Sequence, residues 1–589
     1  MPVRTQFVAW RLNWRDYYPK VICILRMSKQ REMEMNSLMI ISTQTKRYCF
    51  LLAVTVCLLL AQPLIAAEGI NGNLVSVQWL EKNLNRDDVL LLDASLGQMY
   101  SAKHIPGAVS VDVFTFGGRE IPAAEMERRI QSWGVSAGKK IVIYDQGGSY
   151  MATSLFFDLY YHGFSADDLF ILDGGIAKWQ AAGGAVTKDP SVAPKSGTFR
   201  VAKLREDVRV RLPEFLLASG DPANNALVEA LEPSYHFGGA KFFDRAGHVP
   251  NAIMTPSADF YNTDKTFKSV EEIRQMLAYL GVKPEQRVHT HCGGGIAASV
   301  PFFTMKFMLN YPKVKLYKES QLEWLRDERG LPYWTYDAPN MLREKNWLAS
   351  WGHPMLRSFG VAKLSVVDVR SAESYKQGHV PYAVNIPADV FKRHLATPGK
   401  LAEVLGAAGV DAAHEAVIVS EGGLNASSAL AFLLLEKLGQ KKLAVLMDSV
   451  DDWGLGGFPL AKEATTVGPG KSPQDLAIPV TTYPANARPG IVTGDPQSTQ
   501  GSYPKVYLAS GKTVPAKGQD GKVIHLPYTD LLNSDGTPKA AKDIWSILVK
   551  AGLPRYAEII CFADDPGEAA ANYFILKLMG YPDVKVLVV

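Results

Sequence analysis

The chain of 589 residues is 47% hydrophobic and 21% charged with a formal net charge of +4, a globular composition without the basic excess of a nucleic-acid-binding surface. At roughly one domain per 150 residues, its length accommodates about four domains. Five cysteines in such a length exclude a scaffold held together by disulfides.

The leader comes first. Residues 1–67 hold nine Lys/Arg against three acids, a surplus of six positive charges, so without them the formal +4 becomes −2. Lys46-Arg47, the apolar run YCFLLAVTVCLLLAQPLIAA and the small pair Ala66-Ala67 have the layout of a secretory signal peptide cleaved before Glu68. That signal is predicted over about 39–67; a start at Met39 gives it ordinary length and marks 1–38 as an over-extended start. An uncleaved membrane anchor is the competing reading, disfavoured because the apolar run is short for a span. The expected destination is exported, periplasmic or extracellular.

Downstream, a short apolar strand, a glycine-rich turn and an apolar helix recur four times. The turns read Asp145-Gln146-Gly147-Gly148, His291-Cys292-Gly293-Gly294-Gly295, Ser420-Glu421-Gly422-Gly423 and Asp564-Asp565-Pro566-Gly567. Counted from Gly134, Gly281, Gly409 and Gly552, Asp145, Cys292, Ser420 and Asp564 come 11, 11, 11 and 12 residues later, so Ala563 competes with Asp564 for the fourth position. Strands with so few polar residues predict parallel sheets covered on both faces, with ligands beyond the strands' carboxyl ends. The repeats predict a leader at 1–67, domains at 70–190, 205–340 and 350–464, a Pro/Gly/Ser/Thr-rich linker at 465–503 and a last domain at 504–589.

A second repeated segment precedes each turn. It carries Asp93, Tyr100, His104 and Pro106 in the first copy, Glu229, Tyr235, Arg245, His248 and Pro250 in the second, and Asp368, Arg370, Tyr375, His379 and Pro381 in the third. The fourth keeps only the remnant KVIHLP. Together with the C-x-x-G turn before a helix and the closing LDGG…W of the first copy, this ordered set resembles the rhodanese family of sulfurtransferases. The resemblance implies an α/β chain of four tandem rhodanese-like domains, each a mostly parallel central sheet flanked by helices on both faces. It also implies the family's pairing of an inactive first domain with a catalytic second one. On that pattern 205–340 is catalytic, while 70–190, 350–464 and the degenerate 504–589 serve as packing partners or docking surfaces.

Two cysteines lie beyond the leader. Cys561, inside the strand pattern EIICFA, reads as a small buried hydrophobe. Cys292 is the candidate nucleophile, since sulfane-sulfur transfer needs a thiolate that can hold sulfur as a persulfide. Three successive glycines let amide N–H groups turn inward, and a helix expected to begin near Ile296 adds its positive end. Such placements lower a cysteine pKa to roughly 3.5–7.5, so a thiolate is predicted.

The predicted substrate contacts are Gly293, Gly294, Gly295, Ile296 and Ala297, with Arg245 supplying a cation from outside the uncharged turn. His248 reads as structural. CGGGIAA is similar to the turn of mercaptopyruvate sulfurtransferases, whereas thiosulfate-using members tend to carry a cation within it. The resemblance therefore implies thiosulfate or 3-mercaptopyruvate as small sulfur donor, and cyanide, a thiol or a protein as acceptor. A phosphatase is excluded because Ala297 and Ala298 stand where an oxyanion-binding arginine is needed. No cofactor is expected: there is no Cys/His metal spacing and no phosphate-loop or dinucleotide fingerprint. No nucleic-acid partner is expected either, and membrane contact arises only through the leader if uncleaved. The alternative is a non-catalytic rhodanese-domain protein for binding or assembly in the cell envelope.

Overall fold

The computed structural model describes residues 70–588 except 117, 119, 191–192, 470–475, 489, 496–500 and 516–520. The predicted signal peptide and the rest of the leader lie outside the described residues. The chain divides after Ile70, and the elements below belong to the unit Asn71–Val589. Among the described residues no helix is long and apolar enough to cross a membrane.

Four sheets follow one another along the chain, with helices between their strands. In the second, the strands run Arg209–Val210, Val314–Tyr317, Arg287–His291, Asn225–Glu229 and Ala252–Met254 from edge to edge, every pairing parallel. The strand before the turn is thus central, flanked by one strand that precedes it in the chain and one that follows it. Connections leave its two sides toward opposite faces, which opens a crevice at its carboxyl end. The third and fourth sheets repeat this order around Glu415–Val419 and Glu558–Ala563, and the first repeats it around Lys140–Tyr144. Strands such as Leu364–Asp368, buried at every position, are what a sheet covered on both faces requires.

The cores are shared in pairs. The helix Met151–Tyr161 of the first domain lies against Ser299–Phe303 of the second, with Phe156 edge-on to Phe303 and Phe157 edge-on to Phe302, both with ring centroids 5.0 Å apart. One buried cluster therefore runs from Leu74 to Leu316. The helices Ala426–Lys437 and Pro566–Leu578 pack likewise through Phe432 and Phe574, 4.8 Å apart, within a second cluster that spans the third and fourth domains.

Two edge strands fall where none was expected. Leu342–Arg343 joins the third sheet beside Lys442–Leu446, between the predicted limits at 340 and 350. Val492–Thr493, inside the predicted linker, pairs with the strand Val584–Val588 of the fourth sheet. Linker residue Tyr483 is buried, its hydroxyl donating to Gln440 Oε1 at 2.6 Å. Two-residue strands carry no readable alternation, and a Pro- and Gly-rich composition hides a segment that is tied down by single anchors.

Candidate active site

The Cys292 turn is fastened from below by the loop after Val314–Tyr317. Cys292 N donates to Ser320 Oγ at 3.1 Å, and Gln321 N and Leu322 N donate to the carbonyls of Cys292 and Gly293 at 3.1 and 3.0 Å. The Lys318 ammonium in that loop is buried against Asp158 of the first domain, 2.8 Å away. Gly295 has φ +80°, and a Cβ there would fall 1.8 Å from the Lys318 carbonyl oxygen, so no side chain fits. Gly293 and Gly294 do not take positive φ, contrary to the expectation from the glycine run. At Gly293 a Cβ would come to 3.2 Å from the Phe242 ring, so a side chain there would push that half-exposed ring aside.

Gly295 N donates to Cys292 Sγ at 3.1 Å, and the amides of Ala298, Gly294 and Ala297 also favour the charged sulfur. The regular helix begins at Ser299 rather than near Ile296; it runs Ser299–Phe303 and then widens into a π turn over Thr304–Met308. Ile296 and Ala297 form the irregular turn and lean on the shared core. The predicted thiolate is also corrected. Cys292 is 3% exposed, and burial pushes its thiol above the ordinary cysteine value although the four amides pull the other way. Loss of water around a charge outweighs partial dipoles here. Cys561, buried in its strand, is pushed up by burial with no amide to oppose it.

The walls come from both domains. Phe242, 50% exposed, stacks on Tyr235 with centroids 4.3 Å apart. From the first domain, a Cβ on Gly118 would lie 3.3 Å from the Gly294 carbonyl oxygen. Tyr150 accepts a hydrogen bond from Ser299 Oγ on its carbonyl at 3.3 Å. Burial raises the Tyr150 hydroxyl's pKa, and the charges of Cys292 and Tyr235 raise it further. Tyr150 follows the first domain's own turn, so no spacing within the second domain points to it. Arg245 is not brought to the turn by its recorded contacts: it donates to the Leu331 carbonyl at 2.8 Å and lies 5.5 Å over the Tyr333 ring.

Behind the turn, the structure reassigns one residue. In the first and third domains Tyr100 and Tyr375 stack on His104 and His379 and accept those rings' Nδ1 on their carbonyls. In the second domain His236, not Tyr235, does both toward His248. His236 contacts Glu229 through Nδ1 and Asp337 through Nε2. Burial would lower its pKa, but Asp337 and Glu229 hold it up at about 9. Burial, aided by His236, takes His248 down to about 4. Glu229 also accepts from Gln321 Nε2, whose backbone carries the Cys292 carbonyl. Although the sequence spacing shows no metal-binding cluster, His236, His248 and Asp337 stand close enough together to hold a cation.

The other three turns fill themselves. The Asp145 carboxylate accepts from Gly147 N at 2.8 Å and Ala152 N at 2.9 Å. Ser420 Oγ receives Asn425 Nδ2 at 3.0 Å, while Asn425 Oδ1 takes the amides of Ser427 and Ser428. In the fourth domain Ser510 N bonds the Phe562 carbonyl as Ala230 N bonds that of His291. Strand register therefore assigns the cysteine's position to Ala563, and Asp565 caps the following helix through Gly567 N at 2.9 Å.

A parallel α/β domain that lifts a cysteine from its central strand into a ring of amides, walled by a partner domain without one, defines the rhodanese class. The rhodanese-like domain model matches residues 76–182 and 353–455. The sulfur carrier protein TtuD of Thermus thermophilus is 30% identical over 272 residues, covering 43% of this chain and 93% of that protein. The chain belongs to the rhodanese-like sulfurtransferase family. A probable 3-mercaptopyruvate sulfurtransferase of Pseudomonas aeruginosa is 27% identical over 281 residues, 44% of this chain and 97% of that one. The crystal structure of SseA from Escherichia coli, a 3-mercaptopyruvate sulfotransferase, aligns with TM-score 0.39 and 23% identity over 42% of this chain and 99% of its own.

Proposed function

We propose that the protein is an exported sulfurtransferase that carries sulfane sulfur on Cys292 and prefers 3-mercaptopyruvate to thiosulfate. The observation that carries the reading is the Cys292 sulfur held by Gly295 N at 3.1 Å, with the neighbouring amides converging on it. The thiol must lose its proton on the way to reaction. The thiolate attacks the sulfur of mercaptopyruvate, the carbon–sulfur bond breaks, and the enolate of pyruvate takes up a proton; Cys292 is left as a persulfide. A thiol or cyanide then attacks the outer sulfur, releasing the new sulfur compound and restoring the thiolate.

Converging amides suit an anionic sulfur in every state of this cycle. The donor preference rests on the neutral turn and the engagement of Arg245 with Leu331 and Tyr333. A dianionic donor is served less well by neutral donors than a carboxylate is. Export rests on the leader's Lys46-Arg47 and the apolar run after it. Steady-state turnover of both donors by the purified chain, with mass detection of a gain of one sulfur on the Cys292 peptide, tests the chemistry. Full turnover by Cys292→Ser, or a higher kcat/KM with thiosulfate, would overturn the corresponding part. Cell fractionation against a variant with Lys46 and Arg47 replaced by acids tests export.

A further inference from the structure

We propose that His236, His248 and Asp337 form a binding site for a divalent first-row transition-metal ion of the zinc class. One ligand atom from each lies within 4.8 Å of the others. His236 Nε2 is 2.9 Å and His248 Nε2 3.9 Å from the same oxygen, Asp337 Oδ1. The rings are nearly parallel, with an interplanar angle of 4° and centroids 3.7 Å apart, so both Nε2 atoms lie on the side of one carboxylate, and an ion would take the place of the proton that His236 Nε2 shares with Asp337.

The remaining nitrogens are already committed. His236 Nδ1 is engaged by Glu229 Oε2, and His248 Nδ1 pairs with the His236 carbonyl at 2.8 Å. A carboxylate or carbonyl on Nδ1 is the support that orients metal-binding histidines and fixes their tautomer. His248 is fully buried and its Nε2 has no hydrogen-bond partner, which is costly for a polar atom without a ligand. His379 in the third domain shares that condition, but it stacks on Tyr375, whose hydroxyl is spent on the Ala383 carbonyl. Histidine in place of that tyrosine converts a packing pair into two donors aimed at an acid.

Access and room are present. Asp337 and Asn251 line two cavities, one of about 280 Å³ toward the fourth domain and one of about 480 Å³ toward the third, which give an ion a path to the carboxylate. Imidazole and carboxylate donors suit zinc and also iron(II). An ion here would tie the sheet that bears Cys292 to the segment leading into the third domain.

The test uses the full chain in the Cys292→Ser background, so that the thiol does not compete. Protein stripped with chelator is titrated calorimetrically with zinc chloride, and Co²⁺ is added for its visible spectrum. One ion per chain and Co²⁺ bands of a site with nitrogen ligands are expected. Asp337→Asn and His236→Tyr, the latter restoring the residue of the sister domains, should each weaken zinc binding at least about 10–100-fold, the loss that even supporting partners produce, with unchanged circular dichroism. Folded protein that takes up neither ion stoichiometrically, or variants that bind zinc as tightly as the parent, would overturn the site. Should both variants unfold, the Co²⁺ spectrum of the parent decides: bands like those of the aqua ion would overturn it.

Discussion

The first and second domains place the same turn at the end of the same central strand and use it oppositely. In the first, Gly147 and Gly148 both take positive φ, and the chain curls tightly enough for the Asp145 carboxylate to take its own amides. In the second only Gly295 does so, and its amide meets a sulfur atom. An aspartate brings two oxygen acceptors with it and leaves the ring of donors occupied, even though burial pushes its carboxyl up. A thiol is a weak acceptor for the same amides and becomes a strong one on ionising, so the site has something to gain from acquiring charge. The lesson is that a copy without the cysteine need not lose the donor ring; it needs only to fill it.

The sharpest way to break this contrast is to remove the sulfur. Cys292→Ser should lower turnover with either donor by at least about 10³-fold, as loss of a nucleophile does elsewhere, with the melting temperature nearly unchanged. Cys292→Asp, which copies the first domain, should be equally inactive while keeping the fold. Next in size is the response to pH. Because the folded Cys292 pKa is raised above the ordinary value, the thiolate fraction of the free enzyme climbs about tenfold per unit below that pKa. kcat/KM should therefore still be rising at pH 9; a plateau below pH 8 would show that water or donor reaches the thiol in the resting site.

Backbone effects come third. Gly295→Ala meets the Lys318 carbonyl at 1.8 Å with φ +80° and should cost about 1–3 kcal/mol in denaturant melts along with most of the activity. Gly294→Ala meets open space and should be nearly silent in stability. Asp145→Ala leaves Gly147 N and Ala152 N without their acceptor, at about 1–3 kcal/mol, yet leaves Cys292 chemistry in place. The smallest effect is expected of Cys561→Ala: turnover unchanged and stability reduced by roughly 1 kcal/mol for a small cavity.

Much of this was legible in the sequence because it is local. Strand, glycine turn and apolar helix lie within thirty or so residues, and their recurrence sets the fold and the place of Cys292. What was not legible depends on distant segments. Tyr150 meets Ser299, behind the Cys292 turn, only because two domains share a core, and Asp337 meets His236 from about a hundred residues away. Tyr235 stood for the tyrosine of the sister segments by residue type alone; the spacing of Tyr100 from Asp93 and of Tyr375 from Asp368 falls on His236 when counted from Glu229, and the stack on His248 confirms it. The fourth turn's ambiguity between Ala563 and Asp564 needed strand register to settle. The charge state of Cys292 failed for a different reason: motif reading counts donors but cannot see how completely water is excluded.

The shared cores also bear on where the chain can be cut. Phe156 and Phe157 on one side, and Phe302 and Phe303 on the other, are almost wholly covered, and each pair is the other's cover. An expression boundary drawn near 200 to isolate the cysteine-bearing domain would bare both aromatic faces and strip away Tyr150 and Gly118. The smallest piece in which this sulfur site can be studied is a pair of domains, because half of its wall is encoded about 150 residues upstream of the thiol.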